Sequence, residues 1–318
     1  MSDVQVRPFR RGDRDQLTRL VNAHAEAVVP GMSASVNTVL SSLERRPGEF
    51  IEDPWVSERV TLVAEQAGRV AAAAHLLRYF PDERAGVAVR DAGEICWLLF
   101  WPQAPAGNPC WPDATAAAEA LMAACAAQLG RWEVSRQYAG GELPVPGVYG
   151  IPEQWPHIAA LYRRAGFDHT GHIEVVYLAP VEDLPGSGRN PDPPLDGLAV
   201  SRSGGINGCR LSAVLGPEVT GYIEVEILGQ GERLARPGGW ADVGNLHVMP
   251  SYQRRGIGTW LLGQAAGWLR LAEVSRLLTY AWLEGTDPGG LNYDGYRAFL
   301  AAAGFRELTR TARGWTSE

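Results

Sequence analysis

A short turn in the C-terminal third of the chain carries the residue types that bind a phosphate group. It follows an apolar run that we predict to be a strand, Trp240–Val248, and precedes a predicted helix, Thr259–Leu271. The order strand, glycine-rich turn and helix directs several backbone N–H groups and the positive end of the helix dipole at one point. Glycines let a ligand approach the backbone, and arginines add charge-assisted hydrogen bonds. The turn therefore predicts an anion site. Its residues are Gln253, Arg254, Arg255, Gly256, Ile257, Gly258 and Thr259.

Two sequence patterns resemble a known family. Val248-x-Pro250-x-x-Gln253-x-x-Gly256-x-Gly258 is similar to the acetyl-CoA loop of the GNAT superfamily of N-acyltransferases. The helix that ends at Gly304-Phe305, one strand and one helix later, also resembles that superfamily. The resemblance is good from Trp240 to Arg313 and extends in layout to residues 4–178, as in two-copy (tandem) members. It implies that the predicted anion is the pyrophosphate of acetyl-CoA, which would serve as the acyl donor.

The resemblance also assigns roles to the strand before the turn. It implies that the pantetheine arm pairs with this strand beside Leu246, His247 and Val248. The backbone N–H of Val248 would then polarise the thioester carbonyl. Near the start of the next predicted helix, Asn292 is one residue earlier than an asparagine with which the family contacts CoA.

Transfer to an amine requires a base. An alkylammonium has a pKa near ~10.4, so only about one molecule in ~1000 is neutral at pH 7. Supplying the neutral nucleophile costs roughly 4 to 5 kcal/mol unless a carboxylate helps. Asp242 lies six residues before Val248, where the resemblance implies a general base. Glu224 and Glu226 share one face of the preceding strand and are alternatives, and any of the three could instead be an ordinary surface or turn residue.

The general acid for the leaving thiolate is harder to assign. In the family it is a tyrosine four residues before Gly-Phe, and Leu300 takes that position here. Tyr296 lies one helical turn earlier on the same face, so we predict that it is the acid. A core-packing aromatic is the alternative for this residue.

The two halves of the chain share an order of elements that indicates an internal duplication. Helix, Gly-Phe and terminal strand close each half, at residues 161–167 and 299–305. In the first half, the junction at 101–112 carries prolines instead of paired glycines, and each proline removes a backbone N–H donor. We therefore predict three segments. They are an N-terminal domain without a CoA loop at residues 1–178, a proline-rich linker at 179–195, and an acetyl-CoA-binding domain at 196–318.

The fold class that the resemblance implies is mixed α/β (α+β). Each domain would hold a mostly antiparallel sheet, splayed beside the acetyl-CoA site, with helices on both faces. Periodicity predicts a hairpin of residues 60–65 and 70–77 around Ala67-Gly68, an alanine-rich helix Ala114–Leu129 and a strand Trp132–Ser135.

Composition restricts the function further. The chain has 318 residues, 46% of them hydrophobic, and a formal net charge of -7, which argues against a nucleic-acid partner and suits a cationic substrate. All 29 basic residues are arginine, so no lysine chemistry is available. Scattered cysteines and histidines predict no metal site. The charged start of the chain and the absence of a long apolar run predict no membrane partner and a cytoplasmic location.

Together these features predict an acetyl-CoA-dependent N-acetyltransferase. It would act on a primary amine of a small cationic molecule, by direct transfer in a ternary complex, as a monomer or homodimer. Two alternatives remain open: a protein N-acetyltransferase, and a non-catalytic protein that binds or senses acyl-CoA.

Overall fold

The computed structural model describes residues 4–45, 54–102, 113–186, 191–205, 208–228, 239–283 and 293–317. Contacts divide the chain into two compact units. The first contains residues 1–173 and 310–318, and the second contains residues 174–309. None of the helices in the described part of the chain is long and apolar enough to cross a membrane.

Thirteen strands and six α-helices occupy the described residues. The strands are β1 (Val4–Pro8), β2 (Val56–Gln66), β3 (Arg69–Tyr79), β4 (Ala92–Phe100), β5 (Arg136–Ala139), β6 (Ile151–Pro152), β7 (Asp168–Pro180), β8 (Leu198–Gly204), β9 (Gly208–Leu215), β10 (Glu218–Ile227), β11 (Trp240–Val248), β12 (Arg276–Trp282) and β13 (Arg306–Ser317). The helices are α1 (Arg14–Val28), α2 (Val36–Glu44), α3 (Thr115–Trp132), α4 (Pro156–Arg164), α5 (Ile257–Leu271) and α6 (Tyr293–Ala302).

The first unit is a sheet with both faces covered. Its strands follow the order β1-β2-β3-β4-β5, and the C-terminal part of β13 pairs antiparallel with β5. Every residue of β3 from Val70 to Leu77 is buried, and successive side chains of a strand point to opposite faces. Helices therefore cover both sides of this sheet; α3 packs against β1 to β4, and α1 packs against β3 and β4.

The second unit is a sheet with one face packed on a helix. Its order is β7-β12-β11-β10-β9-β8, and β7 takes part through residues 174–180. Burial alternates along β9 and β10, which indicates one core face and one more accessible face. The core face packs on α5, where Trp260, Leu261 and Ala265 are buried.

The compact units differ from the predicted domains because each half contributes its terminal strand to the other sheet. Residues 174–180 of β7 pair with β12, and residues 315–317 of β13 pair with β5. The predicted linker, 179–195, therefore needs a correction at its start. Ala179 and Pro180 end a strand, and Val181 and Leu184 are buried in the core of the second unit.

Several local predictions are confirmed. The hairpin forms as β2 and β3, the alanine-rich helix forms as α3, and the strand before the anion-binding turn has the predicted bounds, Trp240–Val248. The predicted strand Trp132–Ser135 is wrong. Trp132 is the last residue of α3, Glu133 follows in the left-handed conformation, and the strand begins at Arg136.

Candidate active site

The site begins where β11 separates from β12. These strands are parallel and pair only from Trp240 to Asp242 among the described residues, opposite Arg276 to Leu278. Beyond Asp242, β11 remains paired with β10 on its other side up to Val248. Among the described residues, one edge of β11 is consequently free over residues 243–248, and this is the splay that the family resemblance implies.

The backbone of this free edge presents N–H groups to the splay. Met249 N–H donates to the Thr220 carbonyl of β10 at 2.9 Å. Since N–H groups of an antiparallel strand alternate in direction, those of Val248 and Leu246 point away from β10. They face the side from which β12 has parted, so they are available to a ligand lying along β11.

A bulge sets the direction of this segment. The register of β10 and β11 shifts so that Glu224 lies opposite Asn245 and Val225 lies opposite Val243, which leaves Gly244 as the extra residue. A bulge bends its strand and increases the local twist. The bulge lies two residues beyond Asp242, where the pairing with β12 has ended.

The turn after β11 ends in a helix N-terminus without a side-chain cap. Gly256 is the N-cap residue of α5, with φ of +83°, and α5 begins at Ile257, two residues before the predicted start. The first helical hydrogen bond runs from Trp260 N–H to the Gly256 carbonyl at 2.9 Å. The N–H groups of Ile257, Gly258 and Thr259 precede that bond and have no acceptor within the helix. These N–H groups lie where the sequence predicts an anion site.

The polar side chains of the turn have different roles. Gln253 donates to the Val248 carbonyl at 3.1 Å, so its side chain ties the turn to the strand. Arg254 and Arg255 are exposed, and neither pairs with a carboxylate among the described residues. The Arg255 guanidinium lies 5.6 Å from the ring centroid of Tyr252, whose hydroxyl donates to Glu218 at 2.8 Å. Both arginines are therefore available to a phosphate.

Asp242 is the carboxylate whose environment best suits a base. Asp242 is the last residue of β11 that pairs with β12 before the splay, and it lies directly opposite Glu226 of β10. Burial first, and the nearby charge of Glu226 second, raise the pKa of Asp242 from 3.8 to about 6. Its Oδ1 atom is buried and has no hydrogen-bond partner among the described residues. A pKa near 6 leaves the carboxylate mostly ionised at neutral pH and able to accept a proton.

The two alternative carboxylates differ from Asp242. Glu224 forms an ion pair with Arg210 at 2.9 Å, and that guanidinium lies 3.7 Å from the ring centroid of Tyr222. Glu226 is exposed. Strand alternation places Glu224, Glu226 and Asp242 on the same face. The side-chain amide of Asn245 donates a hydrogen bond to the Tyr222 hydroxyl at 3.1 Å and extends this polar surface.

Tyr296 packs on the core side of the sheet. Its hydroxyl lies 3.1 Å from the Thr279 hydroxyl, and burial raises its pKa, so it stays protonated at neutral pH. Leu300, at the position of the usual tyrosine, is 2% exposed and packs in the core. Phe299 stacks on Tyr296 and would lie 3.5 Å from a Cβ atom on Gly258. Helix α6 thus packs against the N-terminal turn of α5.

Asn292, the residue at which the resemblance implies a contact to CoA, lies outside the described residues.

The comparisons with known proteins agree with this geometry. Residues 189–287 match the sequence model of the acetyltransferase (GNAT) family. This part of the chain is a GNAT acetyltransferase domain. The family is one of acyltransferases that use acyl-CoA, so residues 189–287 form an acyltransferase domain. No curated protein sequence matches the chain.

Solved structures extend the likeness to the whole chain. A tandem GNAT protein from the clavulanic acid biosynthesis pathway is similar over 99% of this chain and 98% of its own, with 17% identity and a TM-score of 0.66. A GCN5-related N-acetyltransferase from Sphaerobacter thermophilus is similar over 99% and 95%, with 13% identity and a TM-score of 0.62. At such identities the likeness establishes the fold, which is that of a tandem GNAT protein.

The first unit repeats the GNAT strand pattern but its splay is bridged. Strands β4 and β5 are parallel and pair from Ala92 to Ile95, and a register shift after Ile95 leaves Cys96 as the extra residue. Glu94 lies two residues before this bulge, just as Asp242 lies two residues before the bulge at Gly244 in the second unit. Beyond β5, however, Gly140 N–H donates to the Ile95 carbonyl at 2.8 Å, and Tyr162 donates to the Gly140 carbonyl at 2.9 Å. Together with a bond from Glu142 N–H to the Cys96 carbonyl at 3.0 Å, the Gly140 bond closes the edge of β4 at the position that β11 leaves free, and Tyr162 holds Gly140 there.

Sequence reasoning missed three contributors to the GNAT site. Gly244 was a detectable signal, because a glycine inside a strand pattern often marks a bulge. Thr279 and Arg210 carried none, since their roles depend on pairings between distant strands. In the described part of the chain, no group of three or more His, Cys, Asp or Glu side chains lies together as around a metal ion.

Proposed function

We propose that this chain transfers the acetyl group of acetyl-CoA to a primary amine of a small cationic molecule, by direct attack in a ternary complex. The GNAT domain, which we assign to residues 196–318, would hold the cofactor. The observation that carries the proposal is the position of Asp242. A carboxylate with a raised pKa stands where β11 parts from β12, six residues before the free N–H of Val248.

The residues of the chain fit the parts of acetyl-CoA. The free N–H groups of Ile257, Gly258 and Thr259, with Arg254 and Arg255, would bind the pyrophosphate. The free edge of β11 at Leu246, His247 and Val248 would pair with the pantetheine arm. The cofactor supplies an acetyl thioester. Its carbonyl oxygen would accept from Val248 N–H, which favours developing negative charge.

Proton movements balance the reaction. Asp242 accepts a proton from the acceptor ammonium, directly or through a water. The neutral nitrogen then forms the N–C bond as the C–S bond breaks. Tyr296 would donate its hydroxyl proton to the departing thiolate. The pKa of Tyr296 is raised by burial, which keeps this proton in place until the thiolate forms. The acylated nitrogen would lose its second proton to solvent, solvent would return a proton to Tyr296, and Asp242 would release its own, so that amide, free thiol and one proton are the products.

The charges around Asp242 favour a cationic acceptor. Glu226 lies opposite Asp242, and like charges directly opposite each other across two strands are unfavourable unless a cation relieves them. An ammonium group supplies such a cation. One similar structure is described as a glucosamine N-acetyltransferase region, with 11% identity and a TM-score of 0.62, and the chain covers 38% of that protein. Amino sugars therefore belong in the acceptor panel.

The first unit is proposed to bind no CoA. Its β4 edge is closed by Gly140 and Tyr162, and the Phe100 ring, at the end of β4, packs edge-on against His157 at 4.8 Å. A pantetheine arm would have to break these contacts. In this proposal the first unit has a structural function.

Release of free thiol from acetyl-CoA tests the proposal. Wild type should release thiol with at least one member of a panel of amino sugars, polyamines, lysine peptides and peptide N-termini. Asp242→Asn should lower kcat/KM for that acceptor by about 100-fold or more, whereas Glu226→Gln, on the same face, should change it less than tenfold. Turnover of peptides alone would favour the protein N-acetyltransferase. Tight acetyl-CoA binding without turnover of any amine would contradict the proposal.

A further inference from the structure

A proline-rich segment between the strands of the two halves lies along the helix that begins the anion site. Val181 and Leu184 are buried in the core of the second unit, and Val181 N–H donates to the Ser275 carbonyl at 2.9 Å. Further along the chain, residues 191–194 pack against α5. We call these four residues, Pro191 to Pro194, the strap.

Gly263 permits the close approach of the chain to α5. A Cβ atom on Gly263 would lie 2.8 Å from Pro191 Cγ and 2.9 Å from the Pro185 carbonyl oxygen, both shorter than real contacts. A glycine in the middle of a helix costs about 0.5–1 kcal/mol relative to alanine. The helix therefore carries an unfavourable residue at the point where the proline segment lies against it.

Trp260 connects the strap to the anion-binding turn. Its indole Nε1–H donates to the Pro191 carbonyl at 3.0 Å, and its backbone N–H donates to the Gly256 carbonyl at 2.9 Å. Gln264, one turn later, donates to the same Pro191 carbonyl at 3.4 Å. Because Trp260 is buried, its side-chain N–H bond and its backbone N–H bond fix the strap and the turn relative to the same residue.

The strap ends over the N-cap of α5. Pro194 Cβ lies 3.3 Å from the place where a Cβ on Gly256 would be, and Gly256 holds the left-handed conformation that starts the helix. Prolines have a fixed φ and little freedom to lose, so they form a stiff support. A stiff support on Gly256 limits the conformations of the turn whose N–H groups would receive the pyrophosphate.

We propose that the strap holds the N-terminal turn of α5 in its anion-binding conformation, and that Trp260, Gly263 and Pro194 are positioning residues for acetyl-CoA. This inference rests on the proposed function, because it assumes that acetyl-CoA binds at this turn. Pre-organisation of the turn lowers the cost of ordering it on binding. Loosening the strap should thus weaken cofactor binding and leave the chemistry at Asp242 unchanged.

Three variants test the strap. Trp260→Phe removes the indole donor and keeps an aromatic ring, Pro194→Gly removes the support on Gly256, and Gly263→Ala places a methyl group against Pro191. Each should raise the dissociation constant of acetyl-CoA, measured by calorimetry, and its Michaelis constant by about three- to tenfold, with kcat within twofold of wild type. Gln264→Leu, which removes only the longer bond, is the matched control and should stay within twofold in all three values.

The outcomes separate this inference from the proposed function. If wild type binds acetyl-CoA and both Trp260→Phe and Pro194→Gly bind it equally well, the strap has no positioning role. A loss confined to kcat would also overturn it. Should a buried variant fail to fold, Pro194→Gly decides alone, because Pro194 is exposed. If wild type does not bind acetyl-CoA, the proposed function and this inference both fail.

Discussion

Replacing Asp242 by asparagine should make the protein more stable at neutral pH while it removes activity. Most point substitutions destabilise a protein, so the sign of this effect is diagnostic. Burial and the charge of Glu226 raise the pKa of Asp242 to about 6 in the folded protein, from 3.8. The folded state therefore holds the proton more tightly than the unfolded state. This group contributes stability below pH 3.8, and the contribution is lost as pH rises through about 6.

The size of the effect follows from the two pKa values. Each tenfold difference in proton affinity corresponds to about 1.4 kcal/mol, so the ionised carboxylate costs at most about 3 kcal/mol above pH 7. At pH 4 the cost is only about 0.5 kcal/mol, because the group is largely protonated in the folded state. Asparagine has no charge to desolvate. Relative to wild type, Asp242→Asn should thus gain about 2 kcal/mol of unfolding free energy between pH 4 and pH 7.5.

Urea unfolding of both proteins at pH 4, 5, 6, 7 and 7.5 measures this difference. Other titrating groups are common to both proteins, so their effects cancel in the difference between the two unfolding free energies. A packing change caused by the amide itself does not depend on pH, so it cancels when that difference is compared between pH 4 and pH 7.5. In the same preparations, kcat/KM should be lower for Asp242→Asn by about 100-fold or more. In wild type, kcat/KM should rise with pH through about 6 as Asp242 ionises. A stability difference that is constant with pH, or that favours wild type at pH 7.5, would refute the desolvated carboxylate.

Three further predictions concern other parts of the chain. Thr259→Glu should stabilise α5 slightly, because a carboxylate in the first turn interacts favourably with the helix dipole. The same substitution should weaken acetyl-CoA binding, measured by calorimetry, at least tenfold, whereas Thr259→Gln should bind acetyl-CoA nearly as well as wild type. Tyr296→Phe should lower kcat by about ten- to 100-fold. Thr279→Val, which keeps the Tyr296 hydroxyl, should change kcat much less. Equal losses of kcat in the two variants would indicate a packing role for Tyr296. Burial lowers the pKa of His24 and of the neighbouring His157 to about 4, so thermal and urea unfolding should show stability falling as pH decreases from 7 to 4. His24 should account for up to about 3 kcal/mol of this fall, and His24→Gln should remove that part and leave the part due to His157.

The geometry of the turn makes Thr259 the most informative residue to substitute at the anion site. Gly256 is a less informative target, because its φ of +83° strains any side chain and its Cβ would lie 3.3 Å from Pro194. A substitution there changes both the turn and the charge. Thr259 is exposed in a regular helical turn, so its variants change charge with little change of backbone.

The sequence was sufficient for features that depend on local patterns. The bounds of β11 and the glycine-rich turn before α5 follow from residue types that lie close together in the chain, although α5 begins two residues before the predicted start. The exchange of terminal strands could not be predicted in this way. The strands β7 and β13 close similar halves and have similar patterns, so nothing local distinguishes pairing within a half from pairing with the other sheet.

The environment of Asp242 was also beyond the sequence. The candidate was identified from its spacing to Val248, but the three nearby acidic residues, Asp242, Glu224 and Glu226, looked alike. Pairing across strands separates them: Arg210 of β9 neutralises Glu224, Glu226 is solvated, and Asp242 is largely desolvated opposite Glu226. Such differences arise from registers between strands that are distant in the chain.

The two units show how one strand pattern supports or prevents cofactor binding. Both contain a parallel pair that ends after a few residues, a bulge and a carboxylate, Glu94 or Asp242, at the same place. In the first unit, Gly140 N–H donates to the Ile95 carbonyl on the edge that the parting of the strands exposes, and Tyr162 donates to the Gly140 carbonyl. In the second, the edge of β11 stays free beside an uncapped helix. An unsatisfied strand edge and helix end are unfavourable in isolation, and a ligand with a pairing arm and a pyrophosphate satisfies both. The unit that keeps these groups unpaired is therefore the one to which we assign acetyl-CoA.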